Sequence, residues 1–238
     1  MANPNPFPFS RPGGYPRVGA ESGLRSYLLQ VYNYMAGGLV LTGAVAYAGA
    51  YSGIYAQIAR TPLIWLVLLA PLGLVLLLSF RIQRMSLTAA QLSFWAYAAL
   101  VGLSLSGIFY VYTGQSIARV FFVTGATFAA TSVYGYTTRT DLSRFGSFLF
   151  MGLIGIIIAA LVNMFLHSTA LQMTVSVMGV IVFTGLTAYD TQRIKAIYVY
   201  GEDGAVAGKK SILGALALYL DFLNLFLSLM QLLGDRRR

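Results

Sequence analysis

The sequence predicts an all-α membrane protein with about seven apolar helices. Of its 238 residues, 58% are hydrophobic and only 10% are charged, and the mean hydropathy is +0.72. These values lie far from those of soluble domains of similar length. The apolar residues also form long stretches, and about 20 mainly apolar residues are enough to cross a bilayer as a helix. The lipid bilayer is therefore the expected surroundings of this chain.

Seven stretches meet this length requirement, and short breaks with helix-interrupting residues separate them. The first break ends at Pro62, the second carries Arg81 and Arg84, and the third contains Gly114. The later breaks are polar and cover residues 138–144 and 167–168, followed by a predicted long loop from 193 to 211. The predicted spans are residues 26–51, 62–80, 87–112, 118–136, 145–166, 171–192 and 212–233.

The two ends of the chain differ from its apolar body. Residues 1–24 are rich in Pro, Gly and polar groups and lack the apolar core of a signal peptide, so they are predicted to be a disordered cytoplasmic tail. Residues 25–234 are predicted to form one membrane domain, and residues 235–238 a basic C-terminal tail.

The basic residues predict the orientation of the chain. Sixteen Lys and Arg against seven Asp and Glu give a net charge of +9. Nucleic acid is not an expected partner, because in a membrane protein such residues concentrate in loops and set the topology. A cytoplasmic N-terminus leaves only Arg60 and Arg119 in the loops of the opposite side. It places these residues on the cytoplasmic side: Arg11, Arg17, Arg25, Arg81, Arg84, Arg139, Arg144, Arg193, Lys195, Lys209 and Lys210.

The terminal arginines conflict with this orientation. Seven complete spans would place residues 236–238 on the opposite side, where the rule for basic residues disfavours them. Either the last stretch is re-entrant, or the three C-terminal charges fail to override the orientation that the six earlier spans set. Seven complete spans are favoured, because residues 212–233 are long enough to cross.

Two acidic residues lie inside predicted helices, whereas the others lie in tails or loops. Asp190 is near the cytoplasmic end of the sixth helix, and Asp221 is about 13 Å into the seventh at 1.5 Å per residue. A carboxylate in hydrocarbon costs about 2.5 to 3.5 kcal/mol on insertion scales, which marks both as functional candidates. A helix tilt or a cytoplasmic cavity would bring them together. They would then titrate as a pair sharing one proton, which makes a pH sensor.

A simpler interpretation is that each acid is protonated or bonded to a neighbour on its own helix, namely Thr187 or Asn224. The seventh helix carries Asp221, Asn224, Ser228 and Gln231 at spacings that place them on one face. Such a face either lines a hydrated pathway, with Asn224, Ser228 and Thr187 as lining residues, or forms hydrogen bonds within the bundle. Both alternatives are open at this point.

Oxygen ligands of these types are the ones that Ca²⁺ accepts, usually six to eight at a time. Asp190 and Asp221 are too few for a tight metal site, but they suffice for transient, weak Ca²⁺ binding along a pathway. The chain has no cysteine, and its single histidine, His167, has no zinc-type or catalytic-triad spacing. The segments GLTAYDTQ and LYLDFLN also resemble neither motif of the intramembrane aspartyl proteases. We therefore expect no cofactor and no enzyme.

Four segments in chain order resemble the Bax inhibitor-1 family, also called the transmembrane Bax inhibitor motif family. They are VYNYMAGGLVLTGAVAY, TFAATSVYGYTTRTDLS, GLTAYDTQRIK and ALYLDFLNLF, and the pattern is closest to bacterial members. The resemblance implies six helices wrapped around a central seventh, and a pH-sensitive leak with calcium as the transported ion. It further implies that Asp190 and Asp221 form the di-aspartyl sensor of that family.

The resemblance also implies an arginine latch at the cytoplasmic end of the second helix, for which Arg81 and Arg84 are the candidates. A bacterial inner membrane is the expected location, and calcium ions and protons are the expected partners besides lipid. The alternative function is a non-conducting interaction protein that modulates membrane proteolysis or stress survival, with a partner such as a membrane protease. That alternative predicts that function depends on residues 1–24 or 193–211 rather than on the aspartates.

Overall fold

The structure is a computed structural model that describes residues 17–237, with side chains described from residue 21. Seven long helices in this part of the chain are each long and apolar enough to cross a membrane, which confirms the predicted number of spans. The helices are α1 (Arg17–Tyr51), α2 (Leu63–Arg81), α3 (Leu87–Leu105), α4 (Gly114–Thr137), α5 (Ser143–Leu166), α6 (Thr169–Ala196) and α7 (Gly204–Leu233). Short helical turns occupy Ile54–Ala59, Ile82–Arg84 and Ile108–Val111.

Side chains at the breaks fix where several helices begin. The hydroxyls of Ser86, Thr113 and Ser168 accept backbone N–H bonds at the starts of α3, α4 and α6, and the Asp203 carboxylate does the same for α7. Such bonds satisfy amide groups that have no partner inside the helix. His167 ends α5 in the left-handed conformation, with φ of 49°.

The predicted long loop from 193 to 211 is wrong in extent, because α6 continues to Ala196 and α7 begins at Gly204. Lys, Arg and Ala are good helix formers in water, so an apolar stretch marks only the membrane-embedded part of a helix. At the other end of the chain, α1 begins at Arg17, so residues 17–24 of the predicted tail are helical. Residues 1–16 lie outside the described part.

Large apolar side chains on α2 and α5 point outward. Phe80 is 81% exposed and Phe165 is 84% exposed. Contiguous apolar surface on this scale marks an interaction surface. The helices that carry it satisfy their own backbone hydrogen bonds, which is the condition for contact with lipid. The outward apolar faces show that the chain is a multi-pass membrane protein.

Helix α7 is the centre of the bundle, as predicted, and packs against α1, α3, α4 and α6. Its Tyr219 side chain is fully buried and makes edge-to-face contacts with Phe94 and Tyr97 at ring-centre distances of 6.2 and 5.6 Å. Helices α2 and α5 lie further out, since α2 packs mainly on α3 and α5 mainly on α6. Four helices thus enclose α7 directly and two flank them.

The C-terminal segment decides between a complete and a re-entrant last span. Asp235 accepts a backbone hydrogen bond from Thr113 at 3.1 Å, and Arg237 donates one to Val111 at 2.9 Å. The Arg119 guanidinium forms an ion pair with Asp235 at 2.9 Å. The tail therefore lies at the end of the bundle opposite the α6–α7 loop, so α7 crosses once and completely.

Candidate functional site

A cavity of about 1040 Å³ lies between α5 on one side and α6 and α7 on the other. Its α5 wall is mostly apolar and includes Phe150, Met151 and Ile157. Its other walls carry charged and polar side chains, which come from α6 and α7: Ser176, Asp190, Arg193, Asp221, Asn224, Ser228 and Gln231. The cavity therefore has one polar wall, inside a bundle whose outer surface is apolar.

The structure brings Asp190 and Asp221 together, and their carboxyl groups are within hydrogen-bonding contact. Counting residues from the predicted helix ends had placed them at different depths. Because α6 continues to Ala196, Asp190 lies about 9 Å from the end of its helix at 1.5 Å per residue. The start of α7 extends beyond the end of α6, since Ile194 packs against Gly214. Asp190 is thereby brought close to the level of Asp221.

The two acids differ in burial, since Asp190 is half-buried and Asp221 is buried. The Asp221 side chain is buried, and its Oδ2 atom has no hydrogen-bond partner. The neighbours expected under the simpler interpretation bond to their own helices instead: the Thr187 hydroxyl donates to Phe183 and the Asn224 amide to Leu220, both at 2.8 Å. A hydrogen bond between two carboxyl groups requires that one of them carry a proton. This arrangement is therefore suited to holding one shared proton.

The polar face of α7 lines the cavity and also forms hydrogen bonds within the bundle. Asn224 and Ser228 line the cavity, and the Ser228 hydroxyl also donates to the Asn224 carbonyl at 2.8 Å. Gln231 accepts a hydrogen bond from Ser176, which links α7 to α6. Thr187 is fully buried and lies outside the cavity lining, so the structure does not bring it to the predicted pathway.

The two candidate latch residues lie away from this site. Arg81 and Arg84 are exposed, and neither lines the cavity. Within the described residues there is also no group of three or more His, Cys, Asp or Glu side chains that could hold a metal ion.

Arg193 and Ser176 are among the residues of the cavity wall that sequence reasoning missed. Arg193 follows Asp190 by one helical turn, and Ser176 precedes it by about four turns, so the helical period places all three on one face of α6. The assignment of Arg193 to a loop hid this signal.

Comparisons with known proteins agree with this architecture. Residues 24–238 match the family described as Inhibitor of apoptosis-promoting Bax1. The inner membrane protein YbhL of Escherichia coli K12 is 49% identical over 224 residues, covering 92% of this chain and 96% of the relative. The protein RP147 of Rickettsia prowazekii is 49% identical over 218 residues, covering 91% and 92%.

A more distant relative, the membrane protein SpyM3_0260 of Streptococcus pyogenes, is 31% identical over 218 residues, covering 90% of this chain and 95% of its own length. The family match covers the seven membrane-spanning helices from residue 24 onward, including the two that carry Asp190 and Asp221. The chain therefore belongs to the Bax inhibitor-1 family.

Proposed function

We propose that this chain is an inner-membrane protein that provides a pH-sensitive calcium leak, with Asp190 and Asp221 as the proton sensor. The observation that supports it most strongly is the contact between the two carboxyl groups in a cavity with a polar wall. The Escherichia coli relative is named an inner membrane protein, which supports the location. The distribution of basic residues supports a cytoplasmic N-terminus.

The pair couples protonation to the geometry of the bundle. With one shared proton, the carboxyl groups hold α6 and α7 together through a hydrogen bond. When that proton leaves, two adjacent negative charges repel each other in a poorly solvated site. The same loss of a proton increases the attraction for a cation. Both effects change with pH, so cation passage is expected to depend on pH.

The chemistry of the cavity wall fits a weakly bound divalent cation. Carboxylate, amide, hydroxyl and carbonyl oxygens are hard ligands, which Ca²⁺ accepts in flexible geometry. Asp190, Asp221, Asn224 and Ser228 supply such oxygens along one side of the cavity. Because conduction requires that an ion also leave, weak binding favours passage.

Arg193 is a basic residue next to the aspartate pair. It lines the cavity and interacts electrostatically with Asp190. Arg81 and Arg84 are retained as latch candidates only on the family resemblance. A latch that uses them requires the cytoplasmic end of α2 to move toward the cavity.

The test is calcium entry into proteoliposomes that contain a calcium dye, measured from about pH 5 to pH 8, a range that excludes denaturing acid. Wild type, Asp190→Asn and Asp221→Asn are compared. We expect wild-type flux to depend on pH and each substitution to flatten that dependence, since Asn cannot exchange the proton.

Asp141→Asn is the matched control, because Asp141 is fully exposed in the α4–α5 loop. The backbone N–H and hydroxyl of Ser143, together with the Arg144 charge, lower the pKa of Asp141 below its ordinary range. Asp141 is therefore ionised across the whole pH range, and its substitution should leave the pH profile unchanged. Absence of protein-dependent flux, or wild-type behaviour of both buried-site variants, would reject the leak and favour a non-conducting interaction protein.

A further inference from the structure

A second cavity, of about 400 Å³, lies at the end of the bundle where α4 connects to α5. Arg139 and Arg193 line it, together with Asp141 and Gln192. Arg193 and Tyr189 also line the large cavity between α5 and α7. The two cavities therefore adjoin at Tyr189 and Arg193, and we call them together the lipid groove.

The mouth of the lipid groove carries an excess of positive charge. Arg139 and Arg193 are exposed there, and Asp141 is the only acidic residue lining this cavity. The Asp141 carboxylate accepts a backbone bond from Ser143 at 2.9 Å and interacts with the Arg144 charge, so it is already engaged locally. Arg193 also interacts with the Asp190 carboxyl group, but Arg139 and Arg193 are both exposed, and planar guanidinium groups suit phosphate oxygens.

Behind this mouth, the groove is walled by apolar side chains of α5. These include Phe150, Met151, Leu153, Ile156 and Ile157. From Ala217 to Gln231 the groove follows α7 for about 21 Å, at 1.5 Å per residue. Half of the hydrocarbon core of a bilayer is about 15 Å thick, so one acyl chain of a single leaflet fits this length.

Part of the polar wall is already hydrogen-bonded within the protein. Asn224 and Ser228 donate to carbonyls of α7, and Ser176 donates to Gln231. An apolar chain that lies against these three groups leaves these bonds intact, which lowers the cost of covering this part of the wall.

The groove also opens toward the bilayer. Helix α5 packs on α6 and makes no comparable contact with α2 or α7, although Leu72 of α2 reaches the cavity wall. Helix packing therefore does not close the gap between α2 and α5, which leaves a lateral path by which an acyl chain can enter the cavity.

We infer that the lipid groove binds one anionic phospholipid, with its phosphate between Arg139 and Arg193 and one acyl chain along the α5 wall. The charge of the headgroup sets the preference for anionic lipids, and the acyl chain fills the apolar part of the lipid groove. This site goes beyond the calcium leak and does not depend on it, because binding is measured without a cation gradient.

The headgroup contact is tested by native mass spectrometry of the full chain, titrated with phosphatidylglycerol or phosphatidylcholine of identical acyl chains. Wild type should prefer phosphatidylglycerol at least about tenfold, since each nearby basic residue contributes about 1 kcal/mol. Arg139→Gln and Arg193→Gln should each reduce that preference about fivefold by the same estimate. Arg25→Gln, an exposed arginine at the same end that lines neither cavity, should keep it.

The acyl-chain contact is tested with neighbouring residues of α5. Ile157→Trp places a large ring in the groove and should weaken binding of both lipids, whereas Ile158→Trp, outside the groove lining, should not. Equal affinity of wild type for the two lipids would overturn the inference, as would equal behaviour of the two Trp variants. Displacement of phosphatidylglycerol by inorganic phosphate at the same concentration would also overturn it and assign the arginines to free phosphate.

Discussion

A pair of hydroxyls near the middle of the bundle holds α7 against two other helices. Thr42 of α1 donates to the Ala98 carbonyl of α3 at 2.8 Å, and its oxygen lies 2.6 Å from the Tyr219 hydroxyl. Because the single Thr42 proton goes to Ala98, Tyr219 is the donor of the second bond. All of these groups are buried, so neither hydroxyl can turn to water.

We expect Thr42→Val to destabilise the protein by about 1 to 3 kcal/mol, because the Tyr219 O–H loses its acceptor in a buried site. Thr137→Val should cost much less, since Thr137 is exposed and bonds only to its own helix. Thermal unfolding in detergent measures both. Equal melting temperatures for the two variants would mean that the Tyr219 bond does not stabilise the bundle.

At the scale of helices, close approach of α4 and α6 depends on Gly135. A Cβ atom at Gly135 would overlap the backbone carbonyl of Ala188, which cannot move aside as a side chain can. The same interface carries a hydrogen-bonded chain from Tyr32 to Ser132 at 3.1 Å and on to Thr191 at 3.0 Å. Small residues and interhelical hydrogen bonds are the usual means by which membrane helices associate.

Gly135→Ala should therefore destabilise the bundle by about 1 to 3 kcal/mol, the usual cost of overpacking. Gly125→Ala lies on the same helix with open space around it, so it should be neutral or slightly stabilising through helix propensity. Unfolding curves for both variants in the same detergent give the comparison. If Gly135→Ala were as stable as Gly125→Ala, backbone contact between α4 and α6 would not limit packing.

At the scale of the whole molecule, seven crossings place the two ends of the described chain on opposite sides. The α6–α7 loop lies at the same end as the start of α1, since Tyr198 packs on Tyr27 with a ring-centre distance of 5.5 Å. The C-terminal segment lies at the other end, where it pairs with residues 111–113. The basic residues favour the first of these ends as cytoplasmic.

The absence of cysteine makes this orientation simple to test with single substitutions. In intact cells or spheroplasts, a membrane-impermeant thiol reagent should label Thr61→Cys but not Glu202→Cys. Both positions lie in loops, at opposite ends of the bundle. Disruption of the membrane should make both reactive. Labelling of Glu202→Cys before disruption would reverse the proposed orientation.

The spans themselves were accessible to sequence reasoning, because lipid imposes a minimum apolar length on every crossing helix. The polar ends of the helices could not be predicted in this way, because residues such as Lys195 and Lys209 extend helices into water without an apolar signal. The resemblance indicated the central position of α7, and the packing of α7 against four helices confirms it.

The sequence by itself determined that Asp190 and Asp221 are embedded acids, and that Asn224 and Ser228 share a face with Asp221. Helical period and hydropathy are local properties, and they suffice for both conclusions. Only the tertiary structure decided that the two carboxyls meet and that Thr187 lies outside the cavity. These outcomes depend on the axial offset between α6 and α7, which packing contacts such as Ile194 against Gly214 fix and which no local pattern encodes.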